Sequence, residues 1–227
     1  MIVVVGSGLA AVTAAHSLLD RGLAVMLTTA HAEFGFPHGG CGFWDTSALD
    51  WPLSSLEEAV GAQERSTITC RSQWLVKRLV HRFTKAGGQT STRVRLFRDD
   101  EVLLASGTGA FSLDEVTSVL LADQDVPEPS PSAGTPLISL TSPRAWYGAV
   151  VAQGTPVQLS HTGKRGDGSI EIWTTSPTDL EPLQPFMMES MHTFWEEADE
   201  DLDATHVVRR THEAVDAFLA SGRLDGA

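Results

Sequence analysis

Met1-Ile2-Val3-Val4-Val5-Gly6-Ser7-Gly8-Leu9-Ala10-Ala11 opens the chain, and its continuation to Thr29 decides the fold. Ile2 to Val5 is a short β-branched run of the kind that forms a buried parallel strand. Gly6-Ser7-Gly8 breaks it. Leu9 to Asp20 then reads as a helix, with Ala10, Ala11, Ala14, Ala15, Leu18 and Leu19 as its packing face. Gly22 closes that helix as a C-terminal cap, and Leu23 to Leu27 is a second apolar strand. A β-α-β unit of about thirty residues is the size of a parallel crossover.

Within this unit, Gly6-x-Gly8-x-x-Ala11 sits where a dinucleotide-binding turn must sit. The first glycine makes the tight turn and the second lets backbone approach a pyrophosphate. The small Ala11 lets helix and strand pack closely, and the helix N-terminus offers N–H groups and a positive dipole end. An acid for the ribose is expected about twenty residues after the glycines. Thr28-Thr29-Ala30 stands there, without a carboxylate and without an adjacent arginine.

Outward from this unit, His31 to Pro52 reads as a glycine-rich loop around His38-Gly39-Gly40-Cys41-Gly42. Helices are expected over Ser54–Gln63 and Arg71–Ala86. Strands are expected over Thr90–Phe97 and Glu101–Ala105, with a further apolar run at Val116–Ala122. Pro127, Pro129 and Pro131 alternate with small or polar residues, the composition of a linker. Beyond it, Ala145–Gln153, Pro156–His161 and Ser169–Thr174 read as a small antiparallel sheet, with a turn at Lys164–Gly168. Helices are expected over Pro185–Ala198 and Ala204–Ser221.

The 227 residues are enough for a core without disulfides, and 42% apolar with 20% charged residues is a globular composition. Sixteen Lys and Arg against 29 Asp and Glu give a net charge of −13. That balance argues against nucleic-acid partners and against an anionic membrane surface. No apolar run reaches the roughly 18 residues of a membrane span, and no signal peptide is read at the N-terminus. Two cysteines, Cys41 and Cys70, fit a reduced, cytoplasmic setting.

The opening Val3-to-Ala11 segment resembles the FAD-binding half of two-dinucleotide-fold flavoproteins. Met26-Leu27-Thr28-Thr29 and the following glycine-rich loop are similar to GidA-related flavoproteins and to the B subunit of anaerobic glycerol-3-phosphate dehydrogenase. Val102-Leu103-Leu104-Ala105-Ser106-Gly107-Thr108-Gly109 looks like the strand that returns to the flavin in that superfamily. The resemblance covers residues 1–122. It implies an α/β, Rossmann-like FAD/NAD(P)-binding domain at 1–126, a linker at 127–136, and at 137–227 a small antiparallel β region whose C-terminal helices pack back on the cofactor domain.

The resemblance further implies FAD as cofactor. Gly6, Ser7, Gly8, Leu9, Ala10 and Ala11 would meet the pyrophosphate, and Thr28 and Thr29 the adenosine ribose. Gly39, Gly40, Cys41 and Gly42 would run past the isoalloxazine, and Val94 would lie by the adenine. Ala105, Ser106, Gly107 and Thr108 would approach the pyrophosphate and ribityl chain.

His38 and Cys41 are the candidate catalytic residues, and no metal cluster is read. Family members usually carry a Gly-Asp strand before the last helix; here Asp203-Ala204-Thr205 is the nearest remnant. A homodimer or partner subunit is therefore expected to complete the site, through the aromatics Trp146, Tyr147, Trp173 and Trp195. The implied activity is hydride transfer between flavin and a small organic substrate; the alternative is an accessory, non-catalytic FAD-fold subunit of a redox complex.

Overall fold

The computed structural model describes residues 1–35, 40–45, 67–99, 102–122, 134–138, 142–196 and 203–222. The chain divides into two compact units that interleave along the sequence. The first comprises Met1–Pro37, Val76–Ser139 and Val207–Ala227; the second comprises His38–Leu75 and Leu140–His206. The sequence suggested a linear order with one break at 127–136. Strand pairing between distant segments is what produces the interleaving, and spacing along the chain does not reveal it.

The first unit is built on a parallel sheet. Its strands are β1 (Ile2–Val5), β2 (Val25–Thr29), β5 (Gln89–Thr92), β8 (Ser118–Leu121) and β9 (Thr135–Pro136), in the order β5-β2-β1-β8-β9. Central β1 pairs with β2 through Ile2↔Val25 and with β8 through Ile2↔Ser118. Helix α1 (Leu9–Asp20) connects β1 to β2 as expected, and Gly22 takes the left-handed conformation (φ 80°) that ends it. Ala10, Ala11, Ala14, Ala15 and Leu18 are all buried, so the small-residue face packs. On the sheet, Val3, Met26 and Val119 form a core against Leu96 and Leu103 of a hairpin, β6 (Arg95–Asp99) and β7 (Val102–Ser106).

The expected strand Thr90–Phe97 is two strands. Arg93 breaks it at φ 58° and sends the chain from the parallel sheet into the hairpin.

Two histidines, His16 buried and His212 half-buried, tie this unit's helices together. His16 Nε2 bonds Leu79 O at 2.9 Å, bringing α1 onto α2 (Ser72–Lys85), and its ring meets Phe83 edge-on. His212, on α3 (Ala204–Ala220), lies 3.2 Å from Ser17 Oγ. Burial lowers the pKa of both below 6.5 and outweighs the neighbouring carboxylates. Each therefore binds a proton more readily in the unfolded chain. Stability is full above pH 6.5 and falls as pH drops through that value towards the depressed folded-state pKa. Urea midpoints at pH 7.5 and pH 5.5 check this, and a His16→Gln, His212→Gln double variant flattens the difference. A wild-type midpoint equal at both pH values refutes the assignment.

The second unit is a four-stranded antiparallel sheet in the order β11-β12-β10-β13, with a short antiparallel pair, β3 (Phe43–Asp45) and β4 (Thr67–Thr69). The sheet strands are β10 (Pro143–Val151), β11 (His161–Lys164), β12 (Ile170–Thr174) and β13 (Met187–Glu196). The turn expected at Lys164–Gly168 joins β11 to β12, with Gly168 at φ 87° and Asp167 accepting from Ser169 N–H at 2.9 Å. Pro156–His161, read as a strand, carries no regular structure before His161. One sheet face packs Ala149, Val151 and Ile172 under Leu180 and Leu183 of a 3₁₀ segment, Pro177–Phe186.

The helix expected over Pro185–Ala198 is β13. Pro182 and Pro185 exclude an α-helical approach. Met188, Ser190, His192 and Phe194 then alternate as exposed residues with more buried ones, a period of two. Pairing with β10, as in Tyr147↔His192, overrides the helical leaning of Met and Glu. One C-terminal helix, α3, therefore stands among the described residues where two were expected.

Trp146, Trp173 and Trp195 are buried in this unit at 2%, 1% and 1% exposure. They are therefore not the open aromatic surface that the sequence suggested. The expected helix Ser54–Gln63, most of the linker, and candidates His38 and Gly39 lie outside the described residues.

Candidate functional site

At the C-terminal end of β1 the backbone is arranged around two glycines. Gly6 has φ 155°, which favours glycine, and its N–H donates to Thr28 O at 2.9 Å. Ser7 is buried, and its carbonyl accepts from Gly35 N–H at 2.7 Å, so the loop after β2 folds back onto the turn. Gly8 caps α1 in extended backbone (φ −93°, ψ −171°) with no side-chain cap.

The first helical bond runs from Val12 N–H to Gly8 O at 3.3 Å, so the N–H groups of Leu9, Ala10 and Ala11 have no intrahelical acceptor. No acidic residue lies in the first turn. A Cβ built on Gly8 meets nothing within 4 Å. Open space above an uncapped helix N-terminus suits a diphosphate in both charge and room.

Beside it, the end of β2 carries Thr28 and Thr29, both buried. The Thr28 hydroxyl has no hydrogen-bond partner, an uncommon state for a buried polar group and one that a bound ligand would relieve. Thr29 Oγ1 accepts from His31 N–H at 3.2 Å, and its carbonyl accepts from Val94 N–H at 3.0 Å. Val94 is buried there. The nearest acid along the loop, Glu33, pairs with Lys77 at 3.0 Å.

Gly107 (φ 123°) and Gly109 bring the segment after β7 against the end of β5. A Cβ on Gly107 would lie 1.9 Å from Arg93 O, and one on Gly109 would lie 2.2 Å from Thr92 O. Ala105 and Ser106 end β7, with Ser106 opposite Arg95, and Thr108 is exposed. The first unit thus gathers Gly6–Ala11, Thr28, Thr29, Val94 and the Ala105–Thr108 segment. Sequence reading missed Gly35, whose signal is only that of a loop glycine, and quoted Gly109 as the end of a motif without assigning it a place in the site.

Gly40, Cys41 and Gly42 belong to the second unit. Gly42 is held on every side: its N–H donates to Glu171 Oε1 at 2.8 Å and its carbonyl accepts from Cys70 N–H at 3.0 Å. A Cβ there would lie 1.8 Å from Cys70 O. Glu171 is fully buried and carries three further bonds. Trp173 Nε1–H donates to Oε1 at 2.7 Å, while Arg165 donates to Oε2 from Nε at 2.9 Å and from Nη2 at 2.7 Å. Arg165 also reaches Glu189, which pairs with Arg71. A glutamate inside an apolar strand, six residues after an arginine, was the available sequence signal, and it went unread.

Burial first, and the Glu171 charge second, push the Cys41 thiol well above its ordinary range. The same causes push Cys70 up to about 12. Both stay protonated near neutral pH, and an inert buried thiol is not an activated nucleophile. Among the described residues no group of three or more His, Cys, Asp or Glu is placed to hold a metal, and no helix is long and apolar enough to cross a membrane.

A parallel sheet with a glycine turn feeding an open helix N-terminus, together with a separate antiparallel sheet, is a fold that this chain shares with several solved proteins. Among solved structures the chain is similar to a geranylgeranyl bacteriochlorophyll reductase-like protein from Thermoplasma acidophilum. The TM-score is 0.61 at 10% identity, over 98% of this chain and 79% of that one. It is similar also to glycine oxidase from Bacillus cereus (TM-score 0.59, 10% identity, 99% of this chain and 97% of that one). A flavoprotein/dehydrogenase from Cytophaga hutchinsonii gives 0.57 at 10% identity, over 99% and 79%. At these identities the likeness is one of fold. No family model and no curated protein sequence matches the chain.

Proposed function

We propose that the first unit binds FAD through its adenosine diphosphate portion, and that the chain is a flavin-dependent oxidoreductase acting on a small organic molecule. The observation that carries this reading is the empty space over Gly8 at the uncapped N-terminus of α1. There the N–H groups of Leu9, Ala10 and Ala11 hold the pyrophosphate oxygens, and α1 supplies a favourable field. The unpartnered Thr28 hydroxyl and the Thr29 hydroxyl serve the ribose end, and Val94 covers the adenine. FAD, when bound, supplies the centre that accepts or donates hydride. The chain's own contribution is to bind and orient it.

Two buried cysteines, Cys41 and Cys70, accord with a reducing, cytoplasmic setting. The absence of a Gly-Asp segment before α3 is the remaining reason to propose a second copy or a partner subunit, and light scattering tests it.

Purified protein is expected to be yellow, with the absorption bands of oxidised flavin, and to release FAD on denaturation. A colourless preparation that also takes up no added FAD overturns the reading.

A further inference from the structure

The end of β2, read above as the ribose end of the nucleotide site, is not only short of a carboxylate; the fold places an arginine backbone beside it. Arg93 follows β5 directly, and β5 pairs in parallel with β2 through Thr29↔Thr92. Two backbone bonds fix it beside the end of β2: Arg93 N–H donates to His31 O at 2.9 Å, and the next residue, Val94, donates to Thr29 O at 3.0 Å. Paired strands are about 4.8 Å apart, so the Arg93 backbone sits one strand away from the position where a ribose-binding acid stands in other dinucleotide sites.

Arg93 is also the only non-glycine residue with positive φ among the described residues, at 58°. Such a conformation is disfavoured for a side-chain-bearing residue and persists where surroundings over-determine it. Here the Gly107 segment does so: the Arg93 carbonyl lies where a Gly107 Cβ would be. The Arg93 side chain is exposed and forms no ion pair among the described residues. Among the described residues 31–35 that follow β2, the acid Glu33 is engaged by Lys77. In a chain of net charge −13, an exposed arginine whose backbone is fixed at this point stands out from its surroundings.

A ribose hydroxyl gives a guanidinium little to grip, whereas a phosphate monoester matches its planar fork with paired, charge-assisted hydrogen bonds. We propose that the first unit's site accepts an adenine nucleotide carrying a 2′-phosphate on its ribose, with Arg93 as the phosphate ligand. The site then takes a 2′-phosphorylated dinucleotide in addition to FAD. The inference rests on the reading of this unit as a dinucleotide site, and goes beyond it in assigning the ribose substituent.

The test is isothermal titration of the full chain with adenosine 2′,5′-bisphosphate, with ADP and with FAD. The bisphosphate is expected to bind at least about tenfold tighter than ADP, the scale of a charge-assisted contact, and the preference should shrink as salt rises. Arg93→Ala removes the preference and leaves ADP and FAD affinity within about twofold of wild type. Arg93→Lys retains part of it. Thermal unfolding confirms that each variant is folded.

Equal binding of bisphosphate and ADP by wild type overturns the inference, as does a preference that survives Arg93→Ala. FAD binding beside that equality leaves the flavin reading standing. Bisphosphate binding without FAD binding supports the inference and removes the flavin reading. Failure of all three ligands removes both.

Discussion

A Gly8→Val chain is expected to fold and to lose its cofactor. Valine accepts the extended backbone at Gly8, and its Cβ meets no protein atom within 4 Å. The cost to the fold is therefore that of a poorer helix cap, about 1 kcal/mol. The same side chain fills the space over the free N–H groups of Leu9, Ala10 and Ala11. A pyrophosphate is then held away from its donors, and FAD affinity falls by about a hundredfold or more, equivalent to at least ~2.7 kcal/mol. Circular dichroism and flavin content measure the two effects separately. Wild-type flavin occupancy in a folded Gly8→Val protein would show that the phosphate loop lies elsewhere.

Removing Glu171 is expected to be the most destabilising single truncation in the second unit. Glu171→Ala leaves the Arg165 guanidinium buried without its main counter-charge, and it strips the acceptor from Gly42 N–H and from the Trp173 indole. Breaking a buried, hydrogen-bonded pair from one side costs about 3–5 kcal/mol. The pair as a whole is worth much less than that. A Glu171→Met, Arg165→Met double variant should therefore recover a large part of the loss. Urea denaturation of the three proteins measures both. A Glu171→Ala loss below about 1 kcal/mol, the scale of an exposed pair, would mean that solvent reaches this carboxylate.

The parts of the fold that were legible in the sequence are those written in local pattern. Ile2–Val5, Gly6-Ser7-Gly8, the alanine face of α1 and Gly22 agree with one another at every level, and the structure follows them. β13 was illegible because Met-Met-Glu-Ser-Met has helical propensity, and only the β10 partner imposes alternation. Glu171 was illegible because its partners come from a distant glycine loop and a turn, and no spacing announces them. Arg93 shows the same limit more sharply. The ribose end has no arginine within its own stretch of chain, and parallel pairing of β5 with β2 brings one there. Of the residues proposed to hold the nucleotide, those at the glycine turn were readable as a group because one β-α-β unit brings them together. The meeting of Thr29, Arg93 and Gly107 was not, since three separated segments build it.

The interleaving of the two units bears on how the chain is made. β1 is made long before β8 and must wait for it before its second edge is covered, as Ile2 pairs with Ser118. The first unit also ends on Val207–Ala227, so its last helix emerges after the whole second unit has been synthesised. Domains usually fold in turn during synthesis, from the N-terminus onward. Here the second unit closes on itself only once Leu140–His206 has joined His38–Leu75, while the first is still incomplete. A nascent chain stalled near Pro136 holds a parallel sheet without its closing helix and a short antiparallel pair without its partner sheet. Such an intermediate exposes apolar surface for much of translation, so expression yield should respond to chaperone supply and growth temperature more than the stability of the finished protein would suggest.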